Sequence, residues 1–554
     1  DRYEALCEHR GTLLSEWLFA GEAFGSDADD VDLSLAGCEF GATTAALGMA
    51  ADEARAWLRR VRTVLAPAFL DAVVASVDWR AYDVVAFTST FQQNVASIAL
   101  ARRVKERHPG LTTLFGGANF DGEMGLEFLH SVPWIDYAAV GEADRSFPAL
   151  LRALAADEAP DIPGIARRGP GGQVVFVRER TAFDDLDQLP LPDYDDYFVR
   201  AERLDFFSDT PRTGIDLPFE SARGCWWGQK HHCIFCGLNA ETMRFRSKSP
   251  ARVVREVEEL SRRHRSLALE AVDNILDVSY LSSVLPELAH RGHDFDLFYE
   301  TKANLGPDDL ASMARAGVRR IQPGIESLST PLLKVMRKGT TGIRNVAFLK
   351  WCRHFGIRPS WNLLWGFPGE RVADYDDQLR TMAAIPHLQP PDGEGRLWLE
   401  RFSPMFTDGA AFGIRHVRPL ASYAAVYPKS VDLRRAAYFF EYEMDGALPD
   451  EAFEEVQEAI GTWREAWRAD EQPYLVARSG PGFVELHEGR PGRTAGTYIL
   501  EGLLADVHQA AERRPIALRV LTERTGSPAD AVQETVGALA AEDLVLVEDG
   551  YVLS

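Results

Sequence analysis

Three of the chain's six cysteines, Cys225, Cys233 and Cys236, lie within a dozen residues of one another in the stretch ESARGCWWGQKHHCIFCGLNAETMRFRSKSP, Glu220 to Pro250. They follow a strand-like run, Leu217 to Arg223, and precede a helix start at Ser249-Pro250, where serine caps and proline takes the first helical position. A strand, a loop with three thiols and a helix form a metal-site pattern. Three thiolates satisfy three irons of a four-iron cubane and leave the fourth iron open, whereas a closed structural zinc site takes four ligands. The alternative is zinc with His231 or His232 as fourth ligand, a set made awkward because both histidines sit beside Cys233.

Other residues have chemistry to offer at strand ends. Gly324-Ile325-Glu326-Ser327 pairs a glycine, which permits close approach, with a carboxylate able to bind an ammonium or a ribose hydroxyl. A salt bridge at a barrel rim would use the same residues. Glu300 and Lys302 alternate on a further strand and should share an orientation, and Asn362 lies on another. Gly366-Phe367-Pro368-Gly369-Glu370 reads first as a turn. Of Arg246 and Lys248, the lysine is expected to be solvated.

The elements that must position these residues alternate. Residues 1 to 78 read as helical from apolar spacings of three and four. From Tyr82, strands at Asp83–Thr88, Thr112–Phe115 and Asp136–Val140 alternate with helices, as in a doubly wound sheet. Three strands are few for such a sheet, so its first βα units are expected upstream of Asp1, which is itself not a methionine and points to a processed or internal start. Ile162–Arg180 reads as a hairpin, and Asp184–Asp196 as a proline-punctuated acidic linker. Strand-like runs then recur at Leu217–Arg223, Leu267–Asp273, Asp296–Thr301, Arg320–Ile325, Pro359–Trp365 and Leu397–Phe402, with helices between them. That is a partial six-stranded parallel β/α barrel, with functional groups expected at the carboxyl ends of its strands. The expected division is therefore α/β throughout: 1–183 helical segment and Rossmann-like sheet, 184–214 linker, 215–405 barrel, 406–471 aromatic and helical extension, 472–554 winged-helix-like α+β domain.

Composition narrows the classes. Sixty basic against 83 acidic residues give a net charge of -23, unsuited to nucleic acid or an anionic membrane. No apolar run reaches membrane-spanning length, Leu65–Val77 being broken by Asp71. Few cysteines and no secretory signal point to a soluble cytoplasmic protein. Cys7, Cys38 and Cys352 read as ordinary thiols.

The spacing C-x7-C-x2-C after a strand resembles an expanded form of the C-x3-C-x2-C loop of radical S-adenosylmethionine (SAM) enzymes. ESARGCWWGQKHHCIFCGLN followed by FRSKSP is more similar still to the cobalamin-dependent branch that C-methylates ribosomally made peptides. The resemblance implies a [4Fe-4S] cluster on Cys225, Cys233 and Cys236, with SAM contacts at Phe235, Arg246, Glu300, Lys302, Glu326, Ser327 and Asn362. It implies cobalamin on three strand-end loops: Ser89, Thr90, Gln92, Gln93 and Asn94; Gly116, Gly117, Ala118 and Asn119; Gly141, Glu142 and Ala143. No Asp-x-His-x-x-Gly signature is present in that domain, so no such histidine is expected below cobalt. SAM would then serve both as methyl donor to cobalamin and as source of a 5'-deoxyadenosyl radical that activates a substrate carbon.

The implied partners are a precursor peptide and an electron donor such as flavodoxin or ferredoxin, with no nucleic acid and no membrane. The winged segment is acidic where it would meet DNA, which leaves a packing cap or a leader-peptide recognition element. Peptide chemistry without methylation, such as epimerisation, cyclisation or rearrangement, is the rival activity, and a corrinoid or peptide carrier without catalysis the non-enzymatic one.

Overall fold

The computed structural model describes residues 2, 6–7, 11–25, 40–158, 161–179, 182–208, 211–239 and 242–554. Cys38 lies outside the described residues. The chain forms two compact units. The first comprises Asp1–Asp184, Phe235–Thr242 and Trp398–Glu443, and the second Asp185–Ile234, Met243–Leu397 and Met444–Ser554. Among the described residues no helix is long and apolar enough to cross a membrane.

In the first unit a five-stranded sheet has the order β1 (Val84–Thr88), β2 (Thr112–Gly116), β3 (Tyr137–Ala139), β4 (Ile165–Arg168), β5 (Val174–Phe176). β1, β2 and β3 are parallel, joined by the helices Asn94–Arg107 and Glu123–Ser131. The expected hairpin is present as β4 and β5, but it joins this same sheet antiparallel to β3. Residues 11–78 supply helices and, among the described residues, no strand. The sheet's faces are filled by Leu114, Ala139, Leu150 and Ile165 on one cluster and by Val74, Trp79, Val104 and Leu111 on another. Burying each large apolar side chain stabilises by roughly 1.5–3 kcal/mol.

The second unit carries the barrel. Its strands β6 (Leu217–Phe219), β9 (Ala268–Ala271), β10 (Asp296–Glu300), β11 (Val318–Gln322) and β12 (Arg358–Pro359) form one parallel sheet in that order. Between the first two lie the short β7 (Ala222–Arg223) and β8 (Arg246–Ser247), which pair with each other. β13 (Asn362–Trp365) and β14 (Gly393–Arg396) pair in parallel, and a bridge from Glu326 to Leu363 links β13 to the segment after β11. The sixth parallel strand is thus Gly393–Arg396, not Leu397–Phe402. The chain leaves the barrel at Leu397, and β15 (Leu399–Glu400) pairs antiparallel with a strand of the first unit instead. That register is set by Phe439 and Phe440, about 40 residues on, which local sequence cannot display.

In the first unit β15, β16 (Ile414–Pro419) and β17 (Phe439–Met444) make a small sheet. The chain ends in the second unit with an antiparallel sheet of β18 (Leu475–Gly480), β19 (Phe483–Glu488) and β20 (Gly496–Glu501). Three helices and the hairpin β22 (Leu546–Glu548) and β23 (Tyr551–Leu553), with β21 (Ile516–Ala517) beside it, complete the winged arrangement.

Candidate functional site

The cysteine loop is built from its base. β7 and β8 close it, pairing Ala222 with Ser247 and Arg223 with Arg246. Asp273, two residues past β9, accepts hydrogen bonds from the Ser221 and Ala222 amides at 2.7 and 2.9 Å and from the Ser221 hydroxyl. Tyr280 donates to the Ser221 and Lys248 carbonyls at 3.1 and 2.7 Å. At Gly224 the backbone adopts φ +78°, and a Cβ there would lie 2.2 Å from the Arg244 carbonyl, so the turn into Cys225 requires glycine. The helix at Pro250–His264 starts as expected, with Ser249 accepting from the Arg252 amide at 3.3 Å.

Within the second unit, the Gly228 amide donates to the Cys225 sulfur at 3.3 Å, and burial pushes the Cys225 thiol up, with the Cys233 charge adding to the shift. A half-buried cysteine sulfur that accepts a backbone amide suits a thiolate-ligated iron–sulfur group, whose sulfurs accept such bonds. Phe235 and Cys236, both half-buried, belong to the first unit. There Gly237 donates to Glu400 at 2.9 Å. Among the described residues, no three His, Cys, Asp or Glu side chains form a ready-made metal cage.

Beside this loop a charged group gathers at the barrel's strand ends. Glu326 sits at φ +59°, an uncommon left-handed backbone for a glutamate, and its carboxylate meets Lys338 at 3.4 Å. Glu300, at the end of β10, is raised to about 7, by burial first and by the Glu326 and Asp273 charges next. Asp273 is also raised to about 7, by burial. Lys302 lies past the end of β10, not on it, yet it turns to the same place, donating to the Lys338 carbonyl. Burial and the Lys338 charge lower it to about 8. The structure therefore brings Glu300, Lys302 and Glu326 together around Lys338.

The remaining expectations separate. Ser327 is fully buried and donates to Gln378 at 2.8 Å. Arg246 is buried on β8, and Asn362 opens β13 in an exposed position. Glu370 of the Gly-Phe-Pro-Gly-Glu segment accepts from the Gly366 and Phe367 amides, each at 2.8 Å, and from Tyr375 at 2.6 Å, which is a turn fixed by its own carboxylate. Lys248 is not solvated. It is buried and donates to both oxygens of Glu256 at 2.9 and 2.8 Å, and its own amide donates to the Ser221 carbonyl at 2.8 Å. Lys338 and Asp273 were not foreseen. Lys338 sits in a Lys-Gly-Thr turn like any surface lysine, while Asp273 could have been suspected as the acidic residue ending a barrel strand.

In the first unit, the Ser89–Asn94 and Gly116–Asn119 loops are bound to each other. Asn119 donates to the Ser89 hydroxyl at 2.9 Å and the Thr90 carbonyl at 2.5 Å. Gly117 is exposed at φ +93°, and a Cβ there would lie 2.5 Å from the Ser89 carbonyl. Ser89, Gln92 and Asn94 are buried. Asn94 contacts Ser89 and Tyr427, and Gln92 donates to the Cys7 carbonyl at 2.6 Å. Thr90, Gln93, Gly117 and Ala118 are exposed; Gly116, Asn119, Gly141, Glu142 and Ala143 are half-buried, with Glu142 accepting from the Phe183 amide at 3.0 Å. An uncharged outer layer, with Gly117 and Ala118 exposing backbone over a hydrogen-bonded polar layer, fits a large flat ligand laid against backbone. Glu16, buried, accepts from the Asn94 and Val95 amides at 3.0 and 2.6 Å and so caps the helix that follows the first loop.

Residues 219–382 match the model of the radical SAM superfamily. An uncharacterized methyltransferase of Pyrococcus horikoshii is 24% identical over 298 residues, 52% of this chain and 61% of that one. A 2-(S-pantetheinyl)-carbapenam-3-carboxylate methyltransferase of Streptantibioticus cattleyicolor is 30% identical over 168 residues, 29% of this chain and 23% of that one. The chain thus spans less than two thirds of the length of these relatives. Among solved structures, the cobalamin-dependent radical SAM enzyme OxsB with aqua-cobalamin and SAM bound aligns with a TM-score of 0.54 at 13% identity, covering 72% of this chain and 60% of that one. The radical SAM methyltransferase TsrM of Kitasatospora setae, with tryptophan and a SAM analogue bound, aligns with a TM-score of 0.51 at 18% identity, covering 73% and 81%. Most of the β/α barrel and the cysteine loop after its first strand thus fall within the stretch, residues 219–382, that is similar to the radical SAM superfamily.

Proposed function

We propose that the protein is a cobalamin-dependent radical SAM enzyme that methylates an unactivated carbon of a ribosomally made precursor peptide. The observation that carries the radical SAM half is the cysteine loop, clamped by β7, β8 and Asp273, opening beside the Glu300, Glu326, Lys302 and Lys338 group. When bound, the cluster would supply an electron to SAM, and cobalamin on the first unit's loops would carry the methyl group.

The chain's own residues bind, orient and hold protons. Cys225, Cys233 and Cys236 would hold three irons and leave one position open for SAM's amino acid end. Glu326 and Glu300 offer carboxylates to an ammonium or ribose hydroxyl, and Lys338 pairs with Glu326 at 3.4 Å. Glu300, raised to about 7, is able to hold a proton at neutral pH and so donate as well as accept. In the first unit, the exposed Thr90, Gly117 and Ala118 would carry the corrinoid, and their buried neighbours keep the platform rigid.

Methyl transfer draws support from the two methyltransferase relatives and from TsrM, and cobalamin from OxsB. The peptide reading draws on the cysteine-loop resemblance and on the C-terminal sheet. There β18 and β20 each pair only with β19 among the described residues, and Val476, Tyr498 and Ile499 stand exposed on them. Such an edge accepts an added peptide strand. A flavodoxin or ferredoxin is the reductant we assign.

Anaerobic reconstitution followed by dithionite and SAM tests the chemistry. 5'-Deoxyadenosine is expected, together with a peptide product heavier by one methylene. A fully loaded enzyme that yields no 5'-deoxyadenosine overturns the radical SAM assignment, and a modified peptide of unchanged mass overturns methylation alone.

A further inference from the structure

Seven residues, Trp226 to His232, separate the first two cysteines, and cluster binding by itself gives them no role. In the structure they are pinned at two places on the barrel. Trp226 donates through Nε1 to the Leu276 carbonyl at 3.0 Å, after β9, and Trp227 to the Arg337 carbonyl at 3.1 Å, after β11. The Lys302 ammonium lies 3.5 Å from the centre of the Trp227 ring and donates to the Lys338 carbonyl. Among the described residues no carboxylate pairs with Lys302, whereas the neighbouring Lys338 is matched by Glu326 at 3.4 Å.

We infer that Trp227 is a positioning residue whose ring fixes Lys302 as an uncompensated cation beside the cysteine loop, where that charge raises the reduction potential of the bound iron–sulfur cluster. The inference rests on the cluster assignment made above. Its physics is Coulombic: reduction adds one negative charge to the cluster, and a nearby desolvated cation stabilises the reduced form over the oxidised one. A lysine stem is flexible and its ammonium prefers water, so the charge stays near the loop only if something holds it. A desolvated aromatic face does so. Trp227, over whose ring the ammonium lies, stands two residues after Cys225 in the chain. The longer gap between the first two cysteines thereby acquires a use, since it supplies the ring.

The test uses the full-length protein, reconstituted anaerobically as wild type, Lys302→Gln, Lys302→Arg, Trp227→Leu and Trp227→Phe. Iron and sulfide content are measured, and the midpoint potential is followed by electron paramagnetic resonance during reductive titration. Lys302→Gln and Trp227→Leu are expected to keep the wild-type iron content and move the midpoint to more negative potential. Lys302→Arg and Trp227→Phe, which retain the charge and the ring, are expected to stay near wild type. A Lys302→Gln protein with full iron and an unmoved midpoint overturns the inference, as does Trp227→Leu with full iron and the wild-type potential. If Trp227→Leu fails to fold, the Lys302 pair decides alone. A wild-type chain that takes up no iron with its cysteines intact overturns the cluster assignment and this inference together, a result read from iron content and not from potential.

Discussion

The barrel's strand ends and the loops of the N-terminal sheet face different binding problems and are built in opposite ways. At the barrel, burial shifts ionisable side chains: Glu300 is raised to about 7, Lys302 is lowered to about 8, Asp273 is raised to about 7 even with its bonds to Ser221 and Ala222, and Glu326 sits in a strained backbone. On the N-terminal sheet the polar residues Ser89, Gln92 and Asn94 are buried but bonded to their own surroundings, and what faces outward is the uncharged set Thr90, Gln93, Gly117 and Ala118. The first arrangement suits a charged ligand that compensates those groups on arrival. The second suits a bulky, nearly flat ligand recognised by shape and backbone.

Breaking either region should leave the other working. The largest effect is expected from Cys225→Ala. It should abolish cluster loading and 5'-deoxyadenosine formation, read by iron content and product analysis, while cobalamin uptake by absorbance remains at wild-type level. A variant that still forms 5'-deoxyadenosine would remove Cys225 from the ligand set.

Next comes Gly117→Val, which forces a side chain to within 2.5 Å of the Ser89 carbonyl at φ +93°. We expect cobalamin binding to be lost and the first unit destabilised by about 2–4 kcal/mol in denaturant unfolding, with iron loading intact. Binding at the wild-type level would separate this loop from the corrinoid.

The two regions should also differ in pH response. Burial raises Glu300 from 4.5 to about 7, so the folded form holds a proton that the unfolded chain releases across that window. Its presence costs no stability below about pH 4.5, and the cost grows as pH rises to 7. Glu300→Gln should therefore be more stable than wild type at pH 8, by about 1–3 kcal/mol, and converge with it at pH 4.5. Equal melting temperatures at pH 8 would contradict that sign. The smallest effect belongs to Thr90→Ala, at an exposed loop tip: a stability change within about 0.5 kcal/mol, with any loss appearing in cobalamin affinity by equilibrium titration.

Much of this was readable one residue at a time. The strands at Val84–Thr88, Thr112–Gly116 and Asp296–Glu300, and the Ser249-Pro250 helix start, follow from periodicity and capping, which are local. Lys248 was misread because its solvation depends on Glu256 and on Tyr280, which lies 32 residues away. The sixth barrel strand was placed a few residues late because Leu399–Glu400 has the alternation of a strand and is one, paired with a different sheet. Ser327 offered a hydroxyl next to Glu326, but Gln378, 51 residues on, already uses it.

The sequence by itself determined the chemistry available: three thiols at C-x7-C-x2-C spacing after a strand, a β/α alternation to carry them, and glycines where a second sheet's strands end. Tertiary structure alone decided which charges face one another. Asp273 reaches back 52 residues to Ser221 to hold the cysteine loop's base, and Lys302 finds Trp227 across the strand ends. Spacing and periodicity are properties of neighbours along the chain, whereas burial and ion pairing depend on neighbours in space, and only the closed barrel fixes those.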